Sequence, residues 1–200
     1  MNTEIEAKFL DVDFDEIRKK LAEFGAICEQ PMRLMRRVII EPPELAVKDA
    51  LLRVRDEGNK VTLTYKQFDD QTSVTGTQEI EVEVSDFDTT ITLLKAAGLP
   101  YDSFQESRRE TWRLHDVEVV LDEWPWLNPY IEIEGKSEQS VKKAASQLDL
   151  KWGDAVFGKV TTAYLKQYPT MDLSRFGTIE HVAFGDPIPE IISGQKLEEA

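Results

Sequence analysis

The chain opens Met1-Asn2-Thr3-Glu4-Ile5-Glu6-Ala7-Lys8-Phe9-Leu10, and from Glu4 to Lys8 it carries a charge at every second position. Successive side chains of a β-strand point to opposite faces. Glu4, Glu6 and Lys8 therefore share one face, and Ile5, Ala7 and Phe9 share the other. Taken alone, the stretch reads as an amphipathic strand with one face on a core and the other in water.

Five further runs repeat the pattern. Arg53 and Arg55 oppose Leu52 and Val54, while Thr62, Thr64 and Lys66 oppose Val61, Leu63 and Tyr65. Glu79, Glu81 and Glu83 oppose Ile80, Val82 and Val84, and Arg109, Thr111 and Arg113 oppose Glu110, Trp112 and Leu114. Glu132 and Glu134 oppose Ile131 and Ile133. Like charges adjacent on a solvated face repel each other without compensation. A sheet curled with its apolar faces outward, under helices, would place these ionic faces around a closed interior. Small barrels ordinarily fill their interior with side chains, so an ionic lining implies a ligand or ions within.

Between the strands, residues 12–25 carry Phe14, Ile17, Leu21 and Phe24 at helical spacing, with Asp13 as N-cap and Gly25 as stop. Residues 85–98, 137–148 and 158–168 read as further helices, and residues 32–41, 50–56, 60–68, 77–84, 104–114, 118–123 and 130–134 as strands. Runs of strands separated by single helices predict an antiparallel α+β fold. From Thr170 the pattern fades into a segment with Gly177, Gly185, Pro187, Pro189 and Gly194, ending Gln-Lys-Leu-Glu-Glu-Ala. It reads as an irregular appendage over residues 169–200, docked or loose, behind a main domain over residues 1–168.

The 38 acidic and 24 basic residues give a formal charge of −14, which argues against nucleic acid and anionic membranes as partners. A single cysteine, Cys28, precludes an internal disulfide. No run of the sequence is long and apolar enough for a signal peptide or a membrane span, so a cytoplasmic protein is expected. No P-loop and no G-x-S-x-G elbow occurs, and His115 and His181 stand far apart. Paired carboxylates suit hard cations such as Mg²⁺ or Mn²⁺. Arginine forks and lysines suit phosphate oxygens. Together they fit a polyphosphate held by bases and bridged to metal held by acids.

The series Glu4-Ile5-Glu6-Ala7-Lys8, Leu52-Arg53-Val54-Arg55, Lys66, Glu79 with Glu81, Arg109, Asp122 and Glu132-Ile133-Glu134-Gly135 resembles the CYTH domain, also called the triphosphate tunnel metalloenzymes. The resemblance implies an eight-stranded antiparallel β-barrel, or tunnel, with helices on its outside. It implies Glu4, Glu6, Glu79, Glu81, Asp122, Glu132 and Glu134 as holders of Mg²⁺ or Mn²⁺. It further implies Lys8, Arg53, Arg55, Lys66 and Arg109 as the phosphate-binding and catalytic bases, with Arg113 and Lys159 as added contacts. The expected function is metal-dependent hydrolysis of a small-molecule triphosphate, whether inorganic tripolyphosphate, thiamine triphosphate or a nucleoside triphosphate. The alternatives are a class IV adenylate cyclase, making cyclic AMP and pyrophosphate from ATP, and a non-catalytic polyphosphate-binding module; a homodimer is compatible with each. Trp124-Pro125-Trp126 has no counterpart in the pattern, and Trp126 is expected to pack beneath the appendage rather than stack on a base.

Overall fold

The structure is a computed structural model and describes residues 1–194; the six closing residues assigned to the appendage lie outside the described residues. In chain order its elements are β1 (Asn2–Glu4), β2 (Glu6–Leu10), α1 (Phe14–Glu23), β3 (Ile27–Ile40), α2 (Pro43–Ala46), β4 (Ala50–Asp56), β5 (Val61–Phe68) and β6 (Thr77–Val84). There follow α3 (Phe87–Ala96), β7 (Ser103–Leu114), β8 (Val117–Glu123), β9 (Tyr130–Glu134), α4 (Glu138–Gln147), α5 (Val160–Gln167), α6 (Leu173–Phe176), β10 (His181–Val182) and α7 (Glu190–Ser193).

The strands form one sheet in the order β1-β6-β5-β4-β3-β7-β8-β9-β2. Its two ends are consecutive pieces of chain, because β1 pairs antiparallel with β6 and β2 pairs antiparallel with β9. The ladder is interrupted at Ile5, whose carbonyl accepts from Gly135 N at 3.1 Å while Glu6 N donates to the Val74 carbonyl at 3.1 Å. The result is a nearly closed antiparallel barrel of nine strand segments rather than eight, since the opening strand is split in two. A tenth strand, β10, joins β7 in parallel.

Helix α1 starts where the Asp13 carboxylate accepts from Asp15 N and Glu16 N, and buries Ile17 and Leu21. Helix α4 is opened by a Ser137–Ser140 capping box. Both pack on the outer faces of β2, β8 and β9, where Ala7, Phe9, Val119, Leu121, Ile131 and Ile133 form the main core. Helix α3 covers β3 and β4 through Phe87 and Leu94 against Val38, Ile40 and Val54. On the same outer side, Glu110 is buried and satisfied by a fork from Arg18 of α1 and by the Trp112 indole N–H at 2.6 Å. A buried carboxylate persists on an apolar face only when so compensated. The apolar outer face of β6 was expected under helices, but Ile80 and Val82 are 51% and 52% exposed.

β3 begins at Ile27, five residues before the predicted strand, since Ile27 to Gln30 pair with the far end of β7 across register shifts around Pro31. Proline cannot donate to the ladder, and such a residue sits at a bulge. Residues 169–194 are docked: between short elements, Met171, Phe176, Ile179, Val182 and Ile192 form a third core with Tyr164 of α5. Trp126 packs against this core and its indole N–H donates to the Asp186 carbonyl at 2.8 Å. Among the described residues, no helix is long and apolar enough to cross a membrane.

Candidate active site

The inner face of the barrel encloses a cavity of about 790 Å³. Of the seven acids and seven bases singled out from sequence, every one except Asp122 lines it. For the strand residues the two-residue period produces this directly, since a ladder keeps i, i+2 and i+4 on one face; Lys159 comes instead from the N-cap of α5, and Glu83, at the end of β6, falls outside the lining.

Acids gather along the closure of the barrel. Glu6 stands opposite Glu134 across the β2–β9 ladder, and Glu134 stands opposite Glu118 across β8–β9. Burial of its carboxyl end and the charges of Glu4, Glu6 and Glu118 push Glu134 up to about 7, although the residue itself sits at the exposed mouth of the bore. Burial also raises Glu4, with Glu79 adding to the effect and Lys66 opposing it. Lys66 Nζ lies 2.8 Å from Glu4 and 3.4 Å from Glu79. Lys8 lies 2.8 Å from Glu6 and 3.4 Å from Glu132. Burial disfavours the Lys8 ammonium, but those two carboxylates outweigh it and hold its pKa above the ordinary lysine value.

Arg109 is committed to acids. Its Nε donates to Asp122 Oδ1 at 2.7 Å, and its Nη2 donates to Asp122 Oδ2 and to Glu132 Oε2, the latter at 2.9 Å. Burial would raise Glu132, yet Lys8, Arg109 and Lys66 hold it below the usual carboxylate range. Asp122 is fully buried, and both its oxygens face Arg109 rather than the Glu4, Glu6 and Glu134 group. In this arrangement its carboxylate holds the Arg109 guanidinium in place.

The remaining arginines are less well compensated. Arg53 is 6% exposed; its nearest carboxylates, Glu81 and Glu79, are 3.7 and 3.9 Å away, and its Nε has no hydrogen-bond partner. Burial and the neighbouring Arg55 lower its pKa to about 10, against the pull of Glu79 and Glu4. Arg55 Nη2 pairs with Glu57 at 2.5 Å, while its own Nε is buried without a partner. Arg37, which sequence reasoning missed, stands opposite Arg55 in the β3–β4 ladder. Burial, then Arg53, Arg55 and Arg109, lower it to about 9; its Nε donates to Gln105 at 2.9 Å and its guanidinium lies 4.2 Å from the Trp124 ring. Guanidinium groups stay protonated in proteins, so these shifts mark buried positive charge that its neighbours compensate only in part.

Arg113 pairs with Glu29 and Glu118 at one mouth, and Lys159 pairs with Asp49 at 2.6 Å and Glu41 at 3.5 Å at the other. Neither joins the central arginines. Sequence reasoning also passed over Glu118 and Glu57. Glu118 has the inward parity of Asp122 in the same strand, and Arg37 that of Ile39 and Glu41; parity on a single strand was the available signal.

The carboxylates fit a divalent cation by donor chemistry. They are oxygen-only ligands, and both burial and their mutual charge raise Glu134 and Glu4, so added positive charge among them would be favourable. Among the described residues, however, no three Asp, Glu, His or Cys side chains already stand at ligating spacing. Lysines 8 and 66 lie between several of the acids instead.

The family model of the CYTH domain matches residues 2–157. A solved structure from Pyrococcus horikoshii OT3 is 29% identical, covers 76% of this chain and 93% of its own, and superposes with a TM-score of 0.64. An adenylate cyclase candidate from Vibrio parahaemolyticus is 12% identical over 80% of this chain and 96% of its own, with a TM-score of 0.69. A Hippeastrum protein with a dominant triphosphatase activity is 14% identical over 82% and 95%, with a TM-score of 0.53. No protein of curated function matches the sequence.

Proposed function

The chain belongs to the CYTH family, and from that premise we propose that it hydrolyses the terminal phosphoanhydride of a small-molecule triphosphate with the help of a divalent metal ion. The observation that carries the reading is the pair of under-compensated arginines, Arg53 and Arg37, inside a cavity whose facing wall is carboxylate. A polyanion supplies what those guanidiniums lack, through charge-assisted bonds to buried donors.

Arg53 and Arg55 would bind phosphate oxygens through the Nε donors that have no protein partner. Lys66 and Lys8 would add point charges between substrate and acids. Arg109, oriented by Asp122 and Glu132, would stabilise charge developing on the oxygens as the bond to the terminal phosphorus breaks. Water attacks that phosphorus in line, the bridging oxygen leaves with the remaining diphosphate, and orthophosphate is released. Glu4, Glu6 and Glu134, with Glu79 alongside, would hold Mg²⁺ or Mn²⁺, which when bound supplies charge neutralisation and a more acidic water.

Product analysis tests this. Purified protein is incubated separately with inorganic tripolyphosphate, thiamine triphosphate and ATP, each with Mg²⁺ or Mn²⁺. Metal-dependent release of orthophosphate is expected. Cyclic AMP with pyrophosphate from ATP would make the protein a cyclase, and tight binding without turnover would make it a polyphosphate-binding module.

A further inference from the structure

The two ends of the bore differ in chemistry. At the end of Arg113, Glu118 and Glu134 the wall is ionic. The aliphatic and phenyl groups of the wall, Ile39, Leu51, Phe68, Val160, Leu173 and Phe176, belong to the end marked by Lys159. A triphosphate has no use for such a surface, whereas an organic ligand does. Organic ligands are taken up by cavities of roughly 300–1000 Å³ lined by apolar groups with a few polar anchors, and this cavity, at about 790 Å³, is in that range.

Leu173 and Phe176 come from the tail, outside residues 2–157 that match the family. The tail is fixed in register on the barrel. Ser103 Oγ donates to the Ile179 carbonyl at 2.7 Å and Phe104 N donates to the Glu180 carbonyl at 2.9 Å. His181 stacks on Phe104 with ring centroids 5.2 Å apart. Phe176 is wedged against Tyr164 at 5.1 Å, while Leu173 remains 48% exposed beside the cavity.

The polar anchor is Trp124. It lines the same cavity, is 5% exposed, and its indole N–H is buried without a hydrogen-bond partner. Its ring carries the Arg37 guanidinium. A buried donor left unpaired is unfavourable, and a ligand acceptor placed there removes that cost.

We propose that the end of the bore walled by the tail is a subsite for the organic group of a triphosphate ester, with Leu173 and Phe176 as its apolar wall and Trp124 as its hydrogen-bond donor. This rests on the reading of the bore as a triphosphate site, and it makes the substrate an organic triphosphate rather than inorganic tripolyphosphate.

The test compares kcat/KM, and binding by calorimetry, for inorganic tripolyphosphate against ATP, GTP, CTP, UTP and thiamine triphosphate. At least one ester should exceed tripolyphosphate by about tenfold. Leu173→Asp should remove about that factor for the ester and leave tripolyphosphate within about twofold. Trp124→Phe, which keeps the ring and deletes the N–H, should lower the ester alone, by less. Should Leu173→Asp fail to fold, Leu173→Ala carries the same expectation at a half-exposed position. Tripolyphosphate as the best substrate of the unaltered protein, or equal losses on ester and tripolyphosphate in the folded variants, overturns the subsite. Cyclic AMP production with the same discrimination corrects the reaction and supports the subsite. Binding of no triphosphate at all overturns the reading of the bore and the subsite with it.

Discussion

Asp122 and Arg53 are both buried and ionic, yet one is held by close, matched partners and the other by long contacts alone, to Thr64 at 3.4 Å and to Glu81 and Glu79 beyond it. Asp122 meets Arg109 through both oxygens, and Arg109 reaches Glu132 as well. Arg53 has no carboxylate nearer than 3.7 Å and an idle Nε. The first arrangement is complete in the protein alone. The second is completed only by something that enters. A bore can thus hold charge both to build its wall and to bind its contents, and the hydrogen-bond inventory shows how far each arginine is already committed to the wall where residue type cannot.

The strongest way to break this division is Glu4→Gln combined with Glu6→Gln. Metal-dependent turnover should fall by about a thousandfold or more, because the metal's several kcal/mol of charge stabilisation is lost, while circular dichroism shows the fold intact. Undiminished turnover would place the metal elsewhere. Next in size, Arg109→Met leaves Asp122 buried and unpaired, which should cost about 3–5 kcal/mol in urea denaturation. A loss near zero would mean that the pair belongs to the contents rather than the wall.

Arg53→Ala should do the reverse, weakening triphosphate binding by about 1.5–3 kcal/mol in calorimetry with a small effect on stability. Arg37→Met sharpens the point, since burial disfavours its charge. Ligand affinity should fall while the melting temperature of the free protein rises, at about 2–4 °C per kcal/mol for a chain of this length. The smallest effect is that of Glu134. Its carboxyl titrates near 7 when folded against an ordinary 4.5, so the folded state binds more protons between those values. In chelator, stability should therefore fall as pH rises from about 4.5 to 7, and Glu134→Gln should flatten that slope in denaturation curves collected across the range.

Much of this site was legible because strand alternation is a local property. Glu4, Glu6 and Lys8 face inward whatever their neighbours are, so the sequence needs no alignment of strands to reveal them. Pairings are different: that Arg109 meets Asp122 follows from the β7–β8 register, and that Arg37 stands beside Arg55 follows from β3–β4. Register is a property of two strands and is absent from either one. Arg37 was hidden in the run Met35-Arg36-Arg37-Val38-Ile39-Ile40, where an arginine on each face blurs the period. The tail was illegible for a related reason. Its apolar residues Met171, Phe176, Ile179, Val182 and Ile192 keep no sustained helical or strand period, since they are fitted to a surface already made by α5 and Trp126.

The interruption at Ile5 has a mechanical meaning. Glu4 lies on the segment laced to β6, and Glu6 lies on the segment laced to β9. The two acids therefore stand on opposite sides of the seam at which the barrel shuts. A cation gripped by both would act as a clasp, its binding energy spent in part on keeping the cylinder closed. Loading the ion should raise resistance to unfolding by mass action, and hydrogen exchange at the amides of Gly135 and Glu6, which donate across the interruption, should slow with it.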